Sequence, residues 1–264
     1  MSHKTLGSML GELQVQGASN IEVCPDWFNG RAAYGGLVGA MMATAMTNAL
    51  PDPKPIRSLL VNFVGPVPPE EVEVKPVVLR SGKSVTQVMA DVVREGQILT
   101  HASAAFGLAR PGLSAQADAV FNPVSRDSAP ALDPDISMMP NFLQNFEMHW
   151  TGGAIPMSGS KDRSFGMWVR HREDLSSFPV ARIVAIGDVP PPIMLSHYTK
   201  MVRASSLSWS LEFLVPPEDV DTDWFYLDFT LDAASGGYCQ QSGRIFDENG
   251  RLCAISRQCM VYFE

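Results

Sequence analysis

The sequence is poor in charge and has no run of lysine or arginine. Charged residues are 18 % of its 264 positions, 20 basic against 28 acidic, for a net charge of −8 at pH 7. An acidic chain without a basic cluster repels phosphate backbones, so nucleic acid is not an expected partner. Long apolar runs are missing too. The longest, Gly35 to Met46, is about 12 residues, whereas about 20 are needed to cross a bilayer, so no membrane insertion is expected. Cys24, Cys239, Cys253 and Cys259 form no CxxC pair, and His149, His171 and His197 lack metal-ligand spacing. Neither a metal nor a cofactor is therefore expected. Reduced thiols and the lack of a secretory-signal pattern in MSHKTLGSML point to the cytoplasm. Familiar catalytic signatures are absent as well. There is no GxSxG elbow, no GxGxxG after a strand, no phosphate-binding loop and no Asp followed by His five residues on.

What the chain does contain is a repeat. Residues 108–140 hold Pro111, Pro123, Pro130, Pro134 and Pro140 and keep neither a helical nor a strand period. This divides the chain into residues 1–107, a 108–140 linker and residues 141–264. The two flanking parts resemble each other. At an offset of about 154, Ser81-Gly82 falls on Ser235-Gly236, Gln87 on Gln241 and Gly96 on Gly250. VNFVGPVPP from Val61 matches LEFLVPP from Leu211 at an offset of about 150. Matching punctuation in the same order predicts a duplicated unit.

Each unit reads as a helix followed by an antiparallel meander. In the first, GGLVGAMMATAMTNAL is apolar nearly all round, as a buried helix is, and Pro51 stops it. Strands follow at Arg57–Val64, Val72–Val78, Val85–Val93 and Ile98–Phe106. In the second, Asp188 is read as the N-cap of a shorter helix running through Pro190-Pro191-Pro192 into IMLSHYTKMV. Strands follow at Ser206–Leu214, Trp224–Leu231, Tyr238–Phe246 and Leu252–Phe263, with Gly, Asn and Pro turns between them. Strict alternation puts Ser206, Ser208, Ser210 and Glu212 on one face, and Leu207, Trp209, Leu211 and Phe213 on the other.

A duplicated helix wrapped by strands resembles the double hotdog fold, and the details resemble the type II acyl-CoA thioesterases. AAYGGLVGAMMATAM resembles that family's Gly-Gly helix start, and SLLVNFVGPV its aromatic strand ending in Pro. Asp188 in AIGDVPPP, Ser206 in SSLSWSLEF and Gln258 in AISRQCMVYF fall where the family has an Asp, a Thr or Ser, and a Gln. Ser206 stands where well-known members carry Thr, and Ser208-Trp209 replaces the Asp-His that follows it.

The resemblance implies an α+β double hotdog with two tandem antiparallel sheets, each wrapped around a helix. It implies hydrolysis of an acyl-CoA substrate by water, with Asp188 as base and Ser206 and Gln258 positioning the water. Backbone N–H groups at Gly35 and Gly36 would face the substrate's developing oxyanion. The competing expectation is a non-catalytic acyl-thioester binding or scaffold protein on the same fold. Exposed sheet edges suggest a homo-oligomer. By the two offsets, Gln258 falls on Ala104 and Ser206 on Ile56, so the polar groups are confined to the second unit.

Overall fold

The computed structural model describes residues 4–13, 17–115, 117–133 and 139–263. The first unit contains α1 (Leu6–Gly11), β1 (Ser19–Glu22), β2 (Phe28–Asn29), β3 (Ala32–Ala33) and the central helix α2 (Gly35–Asn48). Strands β4 (Ile56–Phe63), β5 (Glu71–Ser81), β6 (Val85–Arg94) and β7 (Gln97–Gly107) complete it. The second contains β8 (Phe146–Gly153), β9 (Ser164–His171), α3 (Pro179–Gly187), β10 (Arg203–Phe213), β11 (Phe225–Ser235), β12 (Tyr238–Asp247) and β13 (Leu252–Phe263). The eight strands read from sequence are all present. The hairpin β8–β9 and the short β1–β3 were not anticipated.

Two expectations are corrected here. The strands form one sheet of eleven strands, not two tandem sheets, in the order β1-β5-β6-β7-β4-β10-β13-β12-β11-β9-β8, besides the small β2-β3 pair. β4 and β10 carry unpaired backbone groups at the inner edge of each unit. Pairing them with each other satisfies those groups and removes two edges. The second correction concerns the second helix, which ends at Asp188 instead of starting there. Pro179 occupies its first turn, where a missing N–H costs nothing, and the apolar run VARIVAIG follows. Pro190, Pro191 and Pro192 lie beyond its end. A single 3-10 turn, Ile193–His197, is all the helix that IMLSHYTKMV forms.

The duplication is visible in the hydrogen-bond register. β5-β6-β7-β4 and β11-β12-β13-β10 have the same order. Leu60 and Ser210, equivalent at the offset of 150, face each other across the seam, as a pseudo-twofold axis through that pair requires. Both units break register at the same place, between Ile56 and Ser58 and between Ser206 and Ser208.

Alternation builds the core. In β11, Phe225, Leu227, Phe229 and Leu231 are buried while the residues between them are more open. The helix α2 is buried continuously from Gly36 to Met46, because β4–β7 wrap one side of it and α3 packs on the other. Contacts of Gly35 with Asp188 and of Gly39 with Val184 show α2 and α3 running antiparallel. The start of α2 therefore meets the end of α3.

Residues 108–133 and 139–140 carry little regular structure. From Phe121 to Ala131 they lie on the second unit, with Phe121 against Trp168, Tyr226 and Phe246, the Val124 carbonyl accepting from the Trp168 indole at 3.0 Å and Ala131 bridged to His149. Pro134 lies outside the described residues.

Candidate active site

The site forms where the first turn of α2, the end of α3 and the middle of β13 meet. Asp188 follows α3 directly, and its carboxyl is enclosed although the residue keeps a partly accessible surface. Gln258 lies inward on β13, directly opposite Trp209 on one side and Gln241 on the other. Its Nε2 donates to Asp188 Oδ1. The backbone N–H of Gly36 also donates to the carboxylate. Burial pushes the Asp188 pKa up to about 7, against the lowering effect of these two donors. The carboxyl is thus poised to gain or lose a proton near neutral pH, as a general base should be.

Two glycines make this approach possible. A methyl group on Gly35 would sit 2.7 Å from Asp188 Oδ2 and 3.0 Å from the Phe63 ring. On Gly36 it would lie 2.5–2.6 Å from the Tyr34 ring. That ring is buried, stacks on Phe142 with centroids 3.9 Å apart, and donates its hydroxyl to the Ala185 carbonyl at 2.6 Å. Tyr34 thereby ties the start of α2 to the last turn of α3. Burial, reinforced by the nearby Asp188 charge, holds its phenol well above the usual range.

The structure thus brings together four of the five residues singled out from sequence: Asp188, Gln258, Gly35 and Gly36. The Gly36 N–H serves Asp188 itself, which differs from the expected substrate contact. Ser206 is nearby in register but unconnected. Among the described residues no hydrogen bond joins it to Asp188 or Gln258. Its predicted face also needs correction. The bulge between Ser206 and Ser208 flips the alternation, so Ser206 opposes the buried Met260 and shares the face of Gln258 and Trp209. Ser208 and Ser210 project from the other face. The Ser208-Trp209 pair follows the same rule. Ser208 is outward, whereas Trp209 is core, its indole N–H donating to Ser256 Oγ at 2.9 Å.

Gln241, on β12, was noticed in the sequence only as a match to Gln87. Register assigns it instead to Val88, since Val88 opposes Ala104 as Gln241 opposes Gln258. Gln241 is buried, accepts from the Ile193 N–H at 3.1 Å and donates to Gln258 Oε1 at 3.2 Å. The available signal was an amide at an inward position, between Cys239 and Gly243. Among the described residues no helix is long and apolar enough to cross a membrane, and no cluster of potential metal ligands occurs.

Comparison with known proteins shows the family and the fold. The family model for the acyl-CoA thioesterase N-terminal domain matches residues 24–107, and that for the C-terminal domain matches residues 122–262. A hotdog-fold protein of unknown function from Alicyclobacillus acidocaldarius superposes with a TM-score of 0.88 at 18 % identity, covering 100 % of this chain and 99 % of that one. The acyl-CoA thioesterase II TesB2 of Mycobacterium marinum gives 0.76 at 18 % identity, covering 98 % of each chain. The tesB protein of Mycobacterium avium subs. paratuberculosis gives 0.78 at 16 %, covering 98 % of this chain and 100 % of that one. At these identities the structural likeness is one of fold. No curated protein sequence matches. With both of its halves matched in order, the chain belongs to the acyl-CoA thioesterase family and has its hotdog fold.

Proposed function

We propose that the protein hydrolyses an acyl-CoA thioester to the free acid and coenzyme A, with Asp188 as general base. The observation that carries this reading is the Asp188 carboxyl. It is enclosed, burial pushes its pKa up to about 7, and it accepts from Gln258 and from the Gly36 N–H in the first turn of α2. Water attacks the thioester carbonyl carbon as Asp188 takes its proton. The tetrahedral oxyanion collapses, the carbon–sulfur bond breaks, and the proton passes to the departing thiolate. Gln258 holds the carboxylate with one N–H and leaves its second N–H for the water. Ser206, on the same interior face, supplies a hydroxyl to the same water. The N–H of the partly buried Gly35 is our assignment for the oxyanion, since helix-start N–H groups lack intrahelical partners.

Coenzyme A is an anion, so a chain of charge −8 needs local positive charge to hold it. Residues 154–163 and 193–203 supply some. Backbone bonds Met157 N–H to Leu195 O at 2.9 Å and Gly159 N–H to Tyr198 O at 3.0 Å join the two segments. Ile193 ties them to the site through Gln241. The exposed Lys161, Lys200 and Arg203 on these segments are our assignment for the phosphate contacts.

The test is thiol release from a panel of acyl-CoAs of different chain lengths. Release that Asp188→Asn and Gln258→Ala abolish supports the reading. Binding without release at any chain length would replace it with the non-catalytic binding protein. Release untouched by both substitutions would refute the site.

A further inference from the structure

We propose that Gln241 is a positioning residue for Asp188: anchored by the Ile193 N–H, it keeps the Gln258 amide turned with its NH2 toward the carboxylate. The inference rests on the hydrolytic reading above and deepens it. An amide side chain has a donor end and an acceptor end of nearly equal shape, so its direction is set by its partners. Here one partner admits no choice. The Ile193 backbone N–H can only donate, at 3.1 Å, so Gln241 must present Oε1 to it. Gln241 Nε2 is then the end that faces Gln258, at 3.2 Å, and Gln258 must answer with Oε1. That leaves the Gln258 Nε2 for Asp188 Oδ1. Polarity fixed at one backbone N–H is handed through two buried amides to the reacting carboxylate.

The reversed amide would present an oxygen to Asp188. Two acceptors can share a hydrogen bond only if the carboxyl is protonated, which is the form that cannot act as base. Gln241 therefore favours the ionised carboxylate without touching it. Few other groups compete for that role. The carboxyl is packed by α2 through Gly35 and Gly36 and by β13 through Gln258, with Phe63 of β4 on the same glycine, Gly35. Among the described residues the one titratable side chain coupled to it is Tyr34, whose phenol stays neutral. The first unit has no such relay, with Val88 and Ala104 at the equivalent positions.

The experiment measures the pH dependence of thiol release, together with direct titration of the Asp188 carboxyl by carbon NMR, assigned with Asp188→Asn. In Gln241→Leu the Gln258 amide is free to turn. The midpoint of both titrations should rise by about one pH unit, with most of the native rate recovered at high pH. Gln241→Glu keeps the relay while its own carboxyl is protonated, since that group can accept from Ile193 and donate to Gln258. Once ionised it accepts from both, turns Gln258 around, and the native plateau becomes a bell. A merely structural role would lower the yield or rate equally at every pH. Native midpoints in both variants would overturn the proposal. If the wild-type protein released no thiol, the hydrolytic reading would fail, while the carboxyl titration would still decide the role of Gln241.

Discussion

The two units share a plan and differ at its centre. In the first, Val88 opposes Ala104 and Ala104 opposes Leu59. In the second, Gln241 opposes Gln258 and Gln258 opposes Trp209. The backbone pairing is the same, down to the bulge at Ile56/Ser58 and its twin at Ser206/Ser208. The apolar version needs nothing beyond packing. The polar version leaves two amides among core residues, each requiring partners at both ends. Those partners are Ile193 and Asp188, both from the connection that follows α3. Two buried amides are tolerable in the second unit because that connection lies across them. Duplication thus left one unit apolar at these positions, lending its helix start, and another with a buried polar relay, to which we assign the chemistry.

Asp188→Asn should break this division most severely, lowering thiol release by about 10²–10⁴-fold. Wild-type rate should rise with pH through about 7, as the carboxyl ionises. The contribution of Asp188 to stability should move the other way. The folded pKa lies above the unfolded value, so the folded state binds the extra proton between about pH 4 and 7 and loses that advantage as pH rises. Chemical denaturation across this range should show the Asp188 effect as the difference between wild type and Asp188→Asn, which shrinks as pH rises, because buried His171, lowered to about 4, adds an opposite slope to both proteins.

Gln258→Ala makes the second unit resemble the first. It should cost about 10²-fold in rate and about 1–3 kcal/mol in stability, because Gln241 keeps a buried donor with nothing to receive it. The double variant Gln258→Ala, Gln241→Val copies Ala104 and Val88 fully. Urea unfolding should show the loss persisting, because the buried Ile193 N–H then lacks its acceptor, and the activity stays lost. The reverse change, Ala104→Gln, puts an amide beside Val88 and Leu59, with no Asp188 counterpart to receive it. A loss of about 1–3 kcal/mol is expected on denaturation, with thiol release unchanged.

Smaller effects are expected at the rim. Lys161→Glu with Lys200→Glu should raise KM for acyl-CoA about tenfold at low salt with kcat retained, and the difference should shrink in high salt. Ser206→Ala should lower kcat by about tenfold or less, since its hydroxyl touches neither Asp188 nor Gln258.

Much of the fold was legible because strands and turns are local. The turns at Ser81-Gly82, Gly96, Ser235-Gly236 and Gly250, with strands alternating between them, located eight strands and the repeat. Helix α2 was legible because an all-round apolar run bounded by Pro51 has few other readings. The second helix was misread because Asp188 before three prolines mimics a helix start, while the true start, Pro179, is one proline before an equally apolar run. Asp188 and Gln258 were legible as residues, through resemblance to a family pattern. Gln241 was not, because an inward amide means little until its neighbours across the strands are known.

The sequence by itself determined the eight meander strands, the central helix α2, the duplication, the acidic balance and the polar residues available for chemistry, since these follow from composition and short-range periodicity. Tertiary structure alone decided that the two half-sheets join at β4 and β10, that a bulge turns Ser206 inward and that the Gly36 N–H serves Asp188. It also decided that one backbone N–H at Ile193 orients two amides toward a carboxylate 70 residues from Gln258. Each of these depends on which groups meet across the sheet, and a hydrogen bond between distant residues leaves no period in the chain.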